Sequence, residues 1–265
     1  MGNKIHKTAV ISPSVELGDG VVIDEHTVIR DNVIIEDNVH IGTNVLIEGK
    51  TRIGAGTEIF HSSTIGLAPQ DLKYNGEPTR LIIGRNNTIR EFCSIHRGTA
   101  GGNGITRVGD NNLIMAYCHI AHDSKIGNGT ILANAVNMGG HTEIEDFAVI
   151  GGMVAIHQFV HIGSLAMVGA ASYVAQDVLP YAMTSGNPAK VVDINRIGLR
   201  RKNFDTRTID EIHKAIVIIA RSGLALDEAI ERIKSKLNQI PEIVHILKFI
   251  ENRSRRGLMR GKKIR

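Results

Sequence analysis

An aliphatic side chain recurs at every sixth position from the start of the chain: Ile5, Ile11, Leu17, Ile23, Ile29 and onward without a slip to Ile65. No α-helix presents one face at that interval, because its sides repeat every ~3.6 residues. An antiparallel meander joined by tight hairpins would lose phase over so many units. The spacing predicts a parallel β-helix instead, in which three short strands make one coil of about eighteen residues and each marked aliphatic points inward. Gly18, Gly42, Gly54 and Gly66 fall at the turns, where φ is positive or space is tight.

The phase breaks twice. Residues 67–80, LAPQDLKYNGEPTR, carry Pro69, Gly76 and Pro78 around a polar middle and predict a loop projecting from the wall. Repetition resumes at Ile83, breaks again over 97–107, RGTAGGNGITR, and returns at Val108 to run through Val174. Long insertions in a regular solenoid are more often functional than accidental. After Pro180 a period of 3.6 replaces the period of six. A turn leading into a basic helix ending in RKNF, a helix ended by Gly223, a helix in LDEAIERIKSKLNQ and one opening at Pro241 are expected. The chain thus divides into a mainly β body over 1–180 and a C-terminal α-helical domain over 181–265, and the final RRGLMRGKKIR is expected to be mobile.

Composition agrees with a narrow interior: aromatic residues make up 4% and Trp is absent, so small aliphatics fill the core. The net charge of +4 would suit a nucleic-acid binder if it were spread out. It is concentrated late, from Arg196 to Arg265, which points to a local basic face for an acidic partner and away from nucleic acid. No run approaches the roughly 20 apolar residues of a membrane span, so no membrane insertion and a cytoplasmic location are expected. Cys93 and Cys118 sit at small-residue positions of the repeat and read as buried reduced thiols.

From Met115 to Phe159 the repeat is loaded with imidazoles. Residues i and i+18 stack on one wall about 4.8 Å apart if a coil takes eighteen residues. His122, Gly140 and Gln158 then form one column, with Asp123 and His141 in the next. That grouping suits acyl transfer: His122 can take the proton of an attacking hydroxyl, and Asp123 can orient and stabilise the imidazolium. The N–H of Gly140 can donate to the oxyanion of the tetrahedral intermediate. His119, His141 and Gln158 remain to bond the acceptor. Two competing readings stay open: a zinc site of His119, His122 and His141, as in trimeric β-helix carbonic anhydrases, and a non-catalytic solenoid, which accounts for the aliphatic columns but not the histidines. His6, His26, His40, His213 and His245 read as solvent-facing spacers.

The motifs QDLKYNGEPTR (70–80), IHRGT (95–99), HIAHD (119–123), GGM with HQF (151–159) and VAQDV (174–178), with IGLRR and RGL in the helical part, resemble those of the bacterial UDP-N-acetylglucosamine O-acyltransferases over essentially the whole chain. That resemblance implies a left-handed coil, against the usual right-handed crossover, and a homotrimer with active sites between subunits. It implies transfer of an R-3-hydroxyacyl chain from acyl carrier protein to the 3-hydroxyl of UDP-N-acetylglucosamine in lipid A synthesis, with a 3-amino UDP-sugar as alternative acceptor. The carrier's phosphopantetheine holds the acyl group, and no metal or other cofactor is expected. By the same resemblance His122 is the base, Asp123 the carboxylate behind it and Gly140 the oxyanion donor. Lys73, His119, His141, His157, Gln158 and Arg201 then contact substrate, and Ala170 limits the length of the acyl chain.

Overall fold

The structure, a computed structural model, describes residues 2–262. Strands of mostly two residues, such as Val22–Ile23 and His119–Ile120, each end on an inward aliphatic. They stack into three sheets of eleven, nine and eight strands, parallel except for the last strand of the largest, and the chain visits the sheets in turn to form a left-handed β-helix. In the nine-stranded sheet Ile120 pairs with Met138, Met138 with Ile156 and Ile156 with Val174, so the eighteen-residue stacking holds through this region. Past the open first coil, where Ile5 is exposed, each inward side chain is covered by the coils above and below it; Ile23, Ile41, Ile65, Ile89 and Ile120 are all fully buried. Cys93 and Cys118 are buried and unpaired.

The corners are where the fold departs from ordinary strand geometry. In most coils the third residue after the inward aliphatic adopts a left-handed conformation, as at Asn38, Asp123, His141, Phe147 and Phe159. Asn and Asp tolerate positive φ through local side-chain bonding. The same geometry at Phe147 shows that it belongs to the corner and not to the histidines. Of the four expected turn glycines only Gly66 has positive φ, +78°. Gly54 serves by size: a Cβ there would stand 2.5 Å from the carbonyl carbon of Gly84 on the next coil.

The two insertions lengthen the pairing interval, with Ile65 next to Ile95 and Ile95 next to Ile120 in the nine-stranded sheet. They are shorter than the sequence suggests, 68–79 and 97–104. Leu67 ends the strand Thr64–Leu67, while Arg80 and Ile105 open the four-residue strands Arg80–Ile83 and Ile105–Val108, which pair along their whole length. Both insertions leave the edge between the nine- and eight-stranded sheets, the edge that carries His122.

The C-terminal part differs from expectation at its start. Residues 182–194 are a β-hairpin, not a turn running into a helix: Ala182–Gly186 continues the eleven-stranded sheet beside Met167–Val168, and Ala189–Ile194 folds back on it. The β-branched Val191, Val192 and Ile194 suit a strand closing the open end of the prism. Helix α1 is Arg196–Arg201, with Asn195 accepting from the N–H of Gly198. Helix α2, Thr206–Ile216, is capped by Asp205 and runs into a π-helical turn, Val217–Arg221. Helices α3, Leu226–Lys236, and α4, Pro241–Glu251, follow, the latter with Pro at its first position. No helix among the described residues is long and apolar enough to cross a membrane.

Two further expectations are overturned here. His245 of α4 is no solvent-facing spacer, since its Nε2 lies 3.0 Å from Glu145 Oε2 and its Nδ1 3.0 Å from Tyr181 Oη, tying the helix to the prism. The final segment is not loose over its described part. Asp177, fully buried, accepts from the N–H and Oγ of Ser254, both at 2.6 Å, and its own carbonyl accepts from Met259 at 2.8 Å. A buried carboxylate needs such donors, and the tail supplies them. Lys263, Ile264 and Arg265 lie outside the described residues.

Candidate active site

Asp123 stands at the corner after the strand His119–Ile120, directed under the second insertion. Its side chain is 1% exposed, a burial that disfavours an ionised carboxyl. Three groups answer it. His122 Nδ1 lies 2.8 Å from Oδ2, Thr99 Oγ1 donates to the same oxygen at 2.6 Å, and the N–H of Thr99 donates to both oxygens at 3.0 and 3.1 Å. Burial alone would raise this carboxyl; the hydrogen bonds from His122 and Thr99 outweigh it and hold the group below the usual carboxylate range. The backbone is fixed as well, the N–H of Asp123 donating to Thr106 Oγ1 at 2.9 Å. Gly102 closes the insertion over the carboxylate so tightly that a Cβ there would stand 2.4 Å from Asp123 Cγ.

With Nδ1 committed to the carboxylate, Nε2 of His122 is the ring atom left for a substrate. The ring packs closely against the next coil: a Cβ on Gly140 would lie 2.6 Å from His122 Cε1 and 2.8 Å from Nε2, so only Gly fits. Among the described residues no acceptor takes the N–H of Gly140. The His122 ring and the Gly140 backbone are therefore in close contact across one coil spacing. His122, Gly140 and Gln158 line one open cavity of ≈ 350 Å³, together with His96, His119 and His157.

The adjoining column is a stack. His141 meets His122 edge-on with ring centroids 5.2 Å apart and lies parallel to Phe159 at 4.5 Å, and the Arg255 guanidinium covers Phe159 at 3.5 Å. Burial is the main reason His141 is held below the usual imidazole range, with Asp123 pulling the other way. His119 is likewise lowered by burial and then by His122, and its Nδ1 is bonded to Ser94 Oγ at 2.7 Å. The neighbouring His96 is pushed down to about 4, by burial first and then by the nearby histidines and Arg97.

The three-histidine zinc arrangement is not assembled. The group that does converge is His122, Asp123 and His141, with ligand atoms within 4.8 Å of one another, and His119 is not part of it. In that group the carboxylate is already saturated by Thr99 and His122, which is the donor set of a proton relay more than of a metal cage.

Sequence reasoning missed Thr99 and Ser94, because they reach the site across an insertion that breaks the eighteen-residue stacking, and it missed Thr106, which lies in register one coil before Asp123. It also missed His96, although the residue lies within the IHRGT motif, and Arg255, which had read as part of a charged face. In the other direction, Lys73, Arg201 and Ala170 do not line this cavity. Lys73 is exposed on the first insertion. Lys202, next to Arg201, covers Phe147 at 3.5 Å on the edge between the eight- and eleven-stranded sheets, and Ala170 lies on the third edge. Within one chain these residues occupy three different edges of the prism.

The hexapeptide coil, with the buried His122–Asp123–Thr99 arrangement on its wall, fits a hexapeptide-repeat acyltransferase. Residues 105–140 match the family described as bacterial transferase hexapeptide (six repeats), and 177–259 match domain 2 of Udp N-acetylglucosamine O-acyltransferase. The chain belongs to the UDP-N-acetylglucosamine O-acyltransferase family. It is 52% identical to the acyl-[acyl-carrier-protein]--UDP-N-acetylglucosamine O-acyltransferase of Thermodesulfovibrio yellowstonii over 97% of this chain and 100% of that protein. The enzyme of the same name from Thiobacillus denitrificans is 44% identical over 97% and 99%. Among solved structures, the UDP-N-acetylglucosamine acyltransferase of Bacteroides fragilis superposes with a TM-score of 0.94 at 41% identity, covering 97% of this chain and 100% of that one. That of Campylobacter jejuni gives 0.91 at 39%, covering 97% and 99%.

Proposed function

We propose that His122 is the general base in transfer of an R-3-hydroxyacyl group from acyl carrier protein to the 3-hydroxyl of UDP-N-acetylglucosamine, the reaction of this family in lipid A synthesis. Nε2 removes the proton of the sugar hydroxyl as its oxygen attacks the thioester carbonyl. The N–H of Gly140 donates to the oxyanion that forms, and Asp123 stabilises the imidazolium. When the intermediate collapses, the C–S bond breaks and the imidazolium returns its proton to the departing phosphopantetheine thiolate. His119, His141, His157 and Gln158 bond the acceptor, and Lys73 and Arg201 meet the charged or polar parts of the nucleotide sugar. The observation that carries the reading is the buried, Thr99-held Asp123 behind the His122 ring, which packs against Gly140 on the next coil.

A homotrimer with sites between subunits is supported by what the outer walls expose. Leu113, Ile131, Val149, Met167 and Met183 form a continuous apolar row on the eleven-stranded sheet, with exposed Tyr117 and Met153 beside it. Such a row needs a cover. It would also bring Ala170 and Arg201 of one copy toward the His122 edge of another, where their own chain does not carry them. The late cations are the face for acidic acyl carrier protein, and the enzyme works in the cytoplasm, where that carrier and UDP-sugars are.

The deciding experiment is incubation with UDP-N-acetylglucosamine and a set of hydroxyacyl carrier proteins, read by product mass, with a 3-amino UDP-sugar in parallel. O-acylated product is expected. Product formed with the amino sugar alone would move the assignment to that acceptor. Stoichiometric zinc in protein purified without added metal would overturn the base role of His122.

A further inference from the structure

We infer that Arg97 is a positioning residue that clamps the first insertion over the site and so aims the Gln70–Lys73 stretch at substrate. This rests on the proposed reading of Lys73 as a substrate contact.

Arg97 opens the second insertion, and its side chain is 15% exposed. Its guanidinium bonds in two directions. Toward the prism, Nη1 donates to the Gly66 carbonyl at 2.7 Å and reaches Glu48 Oε1 at 3.3 Å. Toward the first insertion, Nε and Nη2 both donate to Tyr74 Oη, at 3.1 and 3.0 Å, and the guanidinium carbon lies 5.5 Å from the Tyr74 ring centroid.

The backbone is shaped for this. Gly66 takes φ +78°, and the pairing register slips between Ile65 and Leu67, which turns that carbonyl toward the guanidinium. On the coil below, a Cβ at Gly49 would stand 3.0 Å from Arg97 Nη1, so a glycine leaves the room the clamp needs.

What the clamp holds is the functional stretch. Tyr74 follows Lys73 directly, and the turn before it is tied by Asp71, whose Oδ1 accepts from the N–H of Lys73 at 3.0 Å and whose carbonyl accepts from that of Tyr74 at 3.0 Å. Gln70, at the start of the same turn, lines the cavity with His122. The insertion is anchored at its ends, where Pro69 and Thr79 are buried, while Leu72 at its tip is fully exposed. The exposed middle of such a loop is ordered largely by specific polar ties. Lysine cannot replace the arginine, because one ammonium cannot bridge the Gly66 carbonyl and the tyrosine oxygen from a rigid planar fork.

The test compares the wild type with Arg97→Lys, Tyr74→Phe, Lys73→Ala and the Arg97→Lys/Lys73→Ala pair, using full-length enzyme with UDP-N-acetylglucosamine and hydroxyacyl carrier protein. Arg97→Lys is expected to raise KM for the nucleotide sugar about tenfold with a smaller change in kcat, to leave Tm close to wild type, and to speed amide exchange over residues 68–79. Tyr74→Phe, which removes the shared acceptor and with it the bond from Tyr74 Oη to the Glu77 carbonyl at 3.0 Å but leaves the prism untouched, moves the same quantities in the same direction. The double variant is expected to bind no worse than Lys73→Ala alone. Unchanged KM and unchanged exchange in both Arg97→Lys and Tyr74→Phe would overturn the proposal. The reading of Lys73 fails separately if Lys73→Ala leaves KM unaltered; a raised KM with faster exchange in Arg97→Lys would then still support positioning, through Gln70.

Discussion

His122 and Asp123 are consecutive residues whose side chains turn back on each other, Nδ1 to Oδ2 at 2.8 Å, and Thr99 donates its hydroxyl to the same Oδ2. The shared oxygen fixes both the tautomer of the ring and the charge of the carboxylate. Asp123→Asn should therefore reverse the preferred tautomer, put a proton on Nε2 and lower kcat by about 10²-fold or more. Thr99→Val, nearly isosteric, removes one donor of several and should cost about tenfold in kcat, with Thr99→Ser restoring most of it. Steady-state kinetics on the three variants decide; a fully active Asp123→Asn enzyme would break the relay.

His122→Ala removes the proposed base while leaving the coil intact, because the ring contributes little to the interior columns. Turnover should fall by about 10²- to 10⁴-fold, with Tm and oligomeric state close to wild type. Near-normal turnover in product-mass assays would take His122 out of the base role.

The prism was legible from its first few turns, because a six-residue aliphatic period has few other physical solutions. The column of His122, Gly140 and Gln158 followed from stacking by eighteen, and the cavity contains all three. Thr99 did not follow: it reaches Asp123 across 24 residues that include an insertion of arbitrary length. Nothing in a loop's letters says where its tip returns. Arg255 was hidden for a related reason, since a docked tail depends on the buried Asp177, and a single Asp in a repeat looks like any other turn residue. The hairpin at 182–194 was missed because its alternation is short and abuts a basic helical stretch.

Ala170 lies exposed at the corner between the eleven- and nine-stranded sheets, stacked over the backbone of Gly151. If the acyl chain runs along this edge in the assembled enzyme, the Ala170 methyl group occupies space at its end. Ala170→Gly is expected to shift preference toward longer hydroxyacyl chains. Competition assays across a series of carrier-bound chain lengths measure this directly, and identical preferences in both enzymes would refute it.

The buried histidines make folding stability depend on pH in a definite direction. His96 titrates at about 4 in the folded chain against 6.5 in its ordinary state, so between those values the unfolded chain binds the extra proton. Its contribution is fully present above about pH 6.5 and is lost as pH falls toward 4, by about 3 kcal/mol over the whole window. His119 and His141, also lowered, act in the same direction, whereas the lowered Asp123 keeps its contribution until the pH drops below its ordinary 3.8. Urea denaturation of wild type and His96→Gln from pH 7 to pH 4 should therefore show a steep loss of stability in the first and a shallower one in the second. Parallel curves would mean that His96 is not held neutral by its surroundings.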